Sequence, residues 1–183
     1  MNYKRRETLS LVIPVLALSV VPIPLEAKTP TVIPEAYKLV AEKFGIPAIW
    51  LYAVALTESG RLYQSQHRPW PWTLNIKGES YYFDSLSQAE GKLKNTLKKT
   101  SLVDIGLMQI NWHWHSNRLQ TVYSALNPIN NLATGAAILA EQYRVCGNWP
   151  EAVGRYHSPG KTREAKQRAK SYRLRVHKQI QTL

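Results

Sequence analysis

A chain of 183 residues has room for one domain of ordinary size with its own hydrophobic core. Its single cysteine, Cys146, excludes an internal disulfide, so the fold must be stabilised by packing. The formal net charge of +12 at pH 7 predicts anionic partners, and no internal repeat or low-complexity segment divides the chain.

The first 27 residues have the parts of a secretory signal peptide. A basic start at residues 4–6 precedes an apolar run at residues 9–21, and a stretch that contains proline ends at Ala27. We predict that residues 1–27 are a signal peptide cleaved after Ala27, with an uncleaved membrane anchor as the alternative.

Two helices are predicted at the start of the mature chain. Pro34 suits the first turn of a helix, apolar and aromatic residues follow at helical spacing, and Gly45 offers a left-handed stop. A second helix is expected to begin at Pro47 and to end near Gly60. This helix is almost wholly apolar, yet it carries Glu58 at its end.

A carboxyl group at the end of an apolar helix loses hydration. This loss raises its pKa and lets it hold a proton near neutral pH, so Glu58 is a candidate general acid. Ser59 is expected to hydrogen-bond the carboxyl group and fix its orientation, and Tyr156 to donate to it from another side. Taken alone, a carboxylate paired with Arg61 is the plainer alternative.

The middle of the chain predicts less regular structure. Prolines, turn residues and alternating apolar residues in 61–83 indicate a loop and a small, irregular β element. Ser87 and Glu90 have capping-box spacing and predict a lysine-rich helix to about Lys99. Residues 101–114 are predicted to be a loop with at most one short turn of helix, in which Asp104 serves as a loop or cap residue.

The last third is predicted to be helical again. Asn127-Pro128 opens a helix that Gly147 closes, and Asn148 opens another that stops at residues 158–160. Residues 161–183 form a final basic helix with a net charge of +7, which either is solvated or contacts an anionic partner. The predicted fold class is α+β, predominantly helical.

Four stretches, ALTESG, DIGLMQIN, AAILAEQY and AVGRYHSP, resemble the successive motifs of lytic transglycosylases with an SLT domain, relatives of goose-type lysozyme. The resemblance covers residues 34 to about 160 and implies a lysozyme-like catalytic domain over residues 28–160. It further implies cleavage of the β-1,4 bond between N-acetylmuramic acid and N-acetylglucosamine, with a 1,6-anhydro product. The Trp-Pro-Trp segment and GRYHSP are similar to the specialised enzymes of conjugation, type IV pilus and secretion machines.

The resemblance also implies roles for individual residues. Glu58 matches the catalytic glutamate, which acts as acid and then as base. Ser59 matches the serine that orients the glutamate, and Tyr156 matches the tyrosine that hydrogen-bonds it. The residues expected to bind substrate are Gly106, Leu107, Met108, Gln109, Asn111 and His157. Most of the family has Asn at the position of His157, so its role stays open between a substrate donor and a support for the site.

The expected protein is therefore a periplasmic monomer that acts on the peptidoglycan glycan strand without a cofactor or metal. Components of a conjugation or secretion apparatus are further expected partners, and the basic tail is expected at an anionic wall or membrane surface. Three alternatives remain open for the function: a lysozyme-type muramidase, which is a hydrolase; a non-catalytic scaffold subunit that binds the wall; and a DNA-contacting protein of conjugation, which rests only on the basic tail.

Overall fold

The computed structural model describes residues 32–183, and the predicted signal peptide lies outside them. Eight helices and six short strands make up this part of the chain. The helices are α1 (Glu35–Lys43), α2 (Ala48–Ser59), α3 (Leu86–Leu97), α4 (Trp112–Leu119), α5 (Val122–Leu126), α6 (Pro128–Cys146), α7 (Trp149–His157) and α8 (Arg163–Ile180). The strands are β1 (Gly60–Tyr63), β2 (Gln66–Pro69), β3 (Thr73–Ile76), β4 (Glu79–Tyr82), β5 (Val103–Ile105) and β6 (Ile110–Asn111). The predicted α+β, predominantly helical class is confirmed.

Helix α6 shows how local sequence sets the helix boundaries. The side chain of Asn127 accepts hydrogen bonds from the backbone N–H groups of Ile129 and Asn130. Pro128 occupies the first turn, where its missing N–H has no helical partner to lose. Gly147 ends the helix in the left-handed region, at φ 73°. Both predicted ends of this helix are confirmed.

The start of α3 differs from the prediction. Its N-cap is Ser85, whose side chain accepts from the backbone N–H of Gln88, and not Ser87. The Ser-x-x-Gln spacing at Ser85 satisfies the same capping rule as the pair Ser87 and Glu90. With Ser85 as the N-cap, Leu86 lies in the first turn of the helix and packs against the core.

Residues 101–114 are not mainly a loop, which corrects the prediction. Strands β5 and β6 lie here, and α4 begins at Trp112. The buried side chains of Val103, Ile105 and Ile110 account for this difference, because they complete the core face of a sheet whose other strands are distant in sequence. Asp104 consequently lies in strand β5 and not in a loop.

The six strands form two separate antiparallel sheets. Strands β1 and β2 make a two-stranded hairpin directly after α2, and the other four pair in the order β4-β3-β5-β6. The larger sheet is held in register by cross-strand neighbours such as Leu74 with Ile105 and Ile105 with Ile110. Residues 106–109, between the paired residues Ile105 and Ile110, form a tight turn that joins β5 to β6.

Helix α2 lies at the centre of the core, because all its residues from Leu51 to Leu56 are buried. Helix α8 packs on α2 and α7 through its buried side chains, which are Ala165, Ala169, Tyr172 and Val176. Its basic side chains face outward, so α8 is part of the folded core and carries a cationic surface.

Within residues 32–183 no single helix has the length and apolar composition of a membrane span; α1 and α2 reach them only together, across a bend of 116°.

Candidate active site

Glu58 lies in the last turn of α2, and β1 begins two residues after it. The residue is half-buried, and the hydroxyl of Tyr172 donates a hydrogen bond of 2.6 Å to its Oε1. Tyr172 comes from the middle of α8 and is 1% exposed. The carboxyl group is therefore held between the central helix and the last helix of the chain.

Burial raises the pKa of Glu58 to about 7 from its ordinary value of 4.5. The hydrogen bond from Tyr172 and the positive charge of Arg175 act in the opposite direction, while the negative charge of Asp104 adds to the increase. A carboxyl group with this pKa is partly protonated near neutral pH. It can both give and accept a proton under the same conditions.

The ring of His157 supports Tyr172 from one side. The two rings stack with centroids 4.4 Å apart and an interplanar angle of 4°. Burial lowers the pKa of His157, and the charges of Arg175 and Arg168 lower it further, which favours a neutral imidazole in the stack. Burial also raises the pKa of Tyr172 well above its ordinary value, so its hydroxyl keeps the proton that it donates to Glu58.

Tyr156 does not hydrogen-bond Glu58, and this expectation is wrong. Its hydroxyl donates to the backbone carbonyl of Met108 at 2.7 Å. The geometry of α7 aims this side chain at the turn after β5, while the carboxyl oxygen accepts from Tyr172. Burial, followed by the charges of Glu58 and Asp104, raises the pKa of Tyr156 well above its usual range, so the Tyr156 hydroxyl keeps its proton.

Ser59 does not orient the Glu58 carboxyl group through a hydrogen bond, which corrects a second expectation. Its buried hydroxyl lies 2.8 Å from the carbonyl oxygen of Leu107 and 3.2 Å from that of Ala55. The first contact joins the end of α2 to the turn between β5 and β6. Ser59 therefore fixes the position of the helix end that carries Glu58.

The turn over residues 106–109 depends on two unusual backbone conformations. Gly106 has φ 77°, and a Cβ atom on it would lie 2.6 Å from the side-chain amide of Asn131. Gln109 has φ 45°, and its side-chain Nε2 donates to the carbonyl of Gly106 at 2.9 Å. The geometry of the turn therefore accounts for the presence of Gly106 and Gln109 at these two positions.

Asn131 on α6 fastens this turn and was not identified from the sequence. Its Oδ1 accepts from the backbone N–H of Met108 at 2.9 Å, and its Nδ2 donates to the carbonyls of Ile105 and Ala125. The side chain is buried with its polar groups satisfied, as a low-dielectric site requires. An Asn within an apolar helix face is the only sequence signal for this role.

Met108 and Leu107 do not present their side chains to an accessible sugar subsite. Both are buried, and Met108 packs so closely on α6 that a Cβ atom on Gly135 would lie 2.5 Å from its Cγ. The expectation that Met108 lines the substrate site is wrong for its side chain, because the core needs that apolar volume. Within the turn at residues 106–109, Gln109 is half-buried and the other three residues are buried.

Asn111 belongs to a polar pair at the edge of the sheet. Its Nδ2 donates to Oδ1 of Asp104 at 2.8 Å, across strands β5 and β6. Burial raises the pKa of Asp104, and the hydrogen bond from Asn111 opposes this shift. Within the part of the chain that the structure describes, no group of three His, Cys, Asp or Glu side chains is placed to hold a metal ion.

A family model described as "Transglycosylase SLT domain" matches residues 36–179. The chain belongs to this family. The SLT family comprises lytic transglycosylases that act on peptidoglycan, and its lysozyme-like fold confirms the predicted one. No curated protein and no solved structure gives a significant match to the chain.

The family match extends past residue 160 and includes nearly all of α8, the helix that supplies Tyr172 to the SLT domain. The sequence contains one signal for this role. Ala165, Ala169, Tyr172 and Val176 recur at spacings of four, three and four residues, which makes an apolar stripe on an otherwise basic helix. This stripe predicts a helix that packs against the core.

Proposed function

We propose that this protein is a periplasmic lytic transglycosylase that cleaves the β-1,4 bond between N-acetylmuramic acid and N-acetylglucosamine and forms a 1,6-anhydro product. The observation that carries the proposal is the hydrogen-bonded carboxyl group of Glu58, whose pKa of about 7 suits proton transfer in both directions. The family supports the substrate class.

The reaction needs one group that first gives and then accepts a proton. Protonated Glu58 donates to the glycosidic oxygen, which leaves with the N-acetylglucosamine as the bond to C1 of the muramic acid breaks. The resulting carboxylate then takes the proton of the muramic acid 6-hydroxyl as that oxygen bonds to C1. Tyr172 hydrogen-bonds the carboxylate between the two steps, and Glu58 ends the cycle protonated again.

Asp104 favours a second candidate function, a muramidase that consumes water. Its carboxyl group is half-buried, and its negative charge raises the pKa of Glu58, so the two groups are electrostatically coupled. Glycosidases commonly use a second carboxylate as a nucleophile or to activate water. Against this role, one oxygen of Asp104 already accepts from Asn111.

Product masses distinguish the two candidates. The mature chain (residues 28–183) and Glu58→Gln are incubated with purified peptidoglycan, and the soluble muropeptides are measured by mass spectrometry. Anhydro products, lighter by one water than reducing products, are expected from the wild type alone. Reducing products would assign the muramidase. Intact peptidoglycan, when a control lysozyme digests it, would overturn both and favour a wall-binding scaffold.

The proposal includes the cellular setting. Residues 1–27 support export to the periplasm, and the outward basic face of α8 suits contact with an anionic wall or membrane surface. A local opening in the wall for a conjugation, pilus or secretion machine is the proposed purpose. Fractionation of cells that express the tagged full chain tests the location: recovery in the periplasm supports it, and recovery in the cytoplasm contradicts it.

A further inference from the structure

One face of the β1–β2 hairpin concentrates positive charge and aromatic rings. Arg61 and Arg68 are direct cross-strand neighbours, so their side chains share a face of the hairpin. Tyr63 lies two positions after Arg61 on β1 and so shares this face, and Trp70, just past the end of β2, places its ring against Arg61. We call these four residues the arginine face.

The arrangement of this face is unfavourable for folding alone. Like charges directly opposite each other on paired strands repel and destabilise the pairing. The rings hold both cations in place: Cζ of Arg61 lies 4.7 Å from the ring centroid of Trp70, and Cζ of Arg68 lies 4.4 Å from that of Tyr63. Two like charges held opposite each other by aromatic rings point to a binding role.

The two arginines differ in how far their charge is neutralised. Arg61 makes one contact of 3.3 Å with Asp84, whose side chain is largely exposed. Among the ion pairs of residues 32–183, none includes Arg68. The guanidinium of Arg68 is therefore held by aromatic rings while its N–H donors have no carboxylate partner there.

The hairpin that carries the arginine face is anchored to the end of α2, the helix that carries Glu58. The backbone N–H of Trp70 donates to the carbonyl of Ser59 at 3.0 Å, and its indole Nε1 donates to the carbonyl of Phe83 at 2.7 Å. Arg61 follows Glu58 by only three residues. The hairpin cannot shift without disturbing the end of α2, so the face keeps a fixed relation to the site.

We propose that the arginine face binds the carboxylates of the stem peptides that peptidoglycan carries on its muramic acid residues. This inference rests on the proposed function. The sugar on which Glu58 acts bears a stem through its lactyl group, and such stems have free carboxylates. A guanidinium binds a carboxylate through two parallel hydrogen bonds, which gives orientation as well as attraction. The face thereby selects stem-bearing strands over stripped ones.

The test compares two substrates with the mature chain. One is peptidoglycan with intact stems, and the other is the same glycan stripped of its stems by an amidase. We expect the wild type to prefer the stem-bearing strand, in kcat/KM and in co-sedimentation. Arg68→Ala should lower this preference about tenfold, because it loses a charge-assisted pair of hydrogen bonds. Arg68→Lys should restore it only in part, since lysine lacks the planar fork.

Arg144→Ala is the matched control, because it removes one exposed positive charge from α6. It should keep the wild-type preference. Equal losses on both substrates, or an unchanged preference in Arg68→Ala, would overturn the inference. The binding arm needs no turnover, so a wild type that binds stems but cuts nothing would contradict the proposed function alone.

Discussion

The hydroxyl of Tyr172 donates a 2.6 Å hydrogen bond to Oε1 of Glu58, although the two residues are 114 positions apart. Tyr172 is buried where α8 packs on the core, and the ring of His157 stacks on its ring. The last helix of the chain thus completes the environment of the proposed acid. The state of α8 and the proton affinity of Glu58 are therefore linked.

We predict that Tyr172→Phe moves the alkaline limb of the pH–activity profile to higher pH and lowers kcat. The hydrogen bond from Tyr172 stabilises the Glu58 carboxylate, so its removal raises the pKa of Glu58 further above 7. The proposed reaction begins with protonated Glu58, and a higher pKa of Glu58 extends the pH range in which it is protonated. The measurement is kcat/KM against pH on soluble glycan strands.

The control for this prediction is Tyr123→Phe, since Tyr123 is 58% exposed on α5. Its profile should match that of the wild type. A limb that stays in place or moves to lower pH in Tyr172→Phe would show that the hydrogen bond does not set the proton affinity of Glu58.

The sequence was sufficient for features that depend on neighbouring residues. Asn127, Pro128 and Gly147 predict the ends of α6, because caps and turns act within a few positions. The apolar run before Glu58 likewise predicts a buried helix with a carboxyl group of raised pKa. The helix ends follow from hydrogen-bonding rules between neighbouring residues, and the buried carboxyl group follows from the apolar composition of the helix that carries it.

Contacts between distant residues could not be predicted in the same way. Ser59 bonds Leu107, and Tyr156 bonds Met108, each across 48 positions. Tyr156 and Tyr172 both lie on helices that pack near α2, and periodicity does not say which hydroxyl reaches Glu58. Packing angles between helices decide that question, and a single sequence does not contain them.

We predict that Glu58→Gln increases the free energy of unfolding above pH 7. In the unfolded chain Glu58 loses its proton near pH 4.5, whereas in the folded chain it does so near pH 7. Between these values the folded state holds a proton that the unfolded state has lost, so the wild type loses stability as pH rises. Glutamine does not titrate and should gain about 2–3 kcal/mol at pH 8, but almost nothing at pH 4.

Urea unfolding at both pH values measures this difference. Glu141→Gln is the control of opposite sign, because the hydrogen bond from Arg118 lowers the pKa of Glu141. That variant should be slightly less stable than the wild type at pH 8. If the difference in free energy of unfolding between Glu58→Gln and the wild type were the same at pH 8 as at pH 4, Glu58 would not carry a raised pKa.

We predict that Gly135→Ala destabilises the protein by about 1–3 kcal/mol, although alanine favours helices over glycine. The added Cβ atom would lie 2.5 Å from Cγ of Met108, whose buried side chain and backbone anchor the turn after β5. Gly91→Ala is the matched control in α3, where an added Cβ meets no atom within 4 Å. It should stabilise by about 0.5–1 kcal/mol. Equal effects at the two positions, measured by thermal unfolding, would refute tight packing of Met108 on α6.

We predict that a chain ending at residue 160 does not fold cooperatively. Removing α8 exposes the surfaces of α2 and α7 that Ala165, Ala169, Tyr172 and Val176 cover, a loss of several kcal/mol against a total stability of about 5–15 kcal/mol. The control is the double substitution Lys166→Ala and Lys170→Ala, which changes two exposed residues of α8 and should unfold like the wild type. Circular dichroism during heating measures both. A truncated chain with a sharp transition at the wild-type temperature would instead place the end of the domain at residue 160 and make α8 an accessory helix.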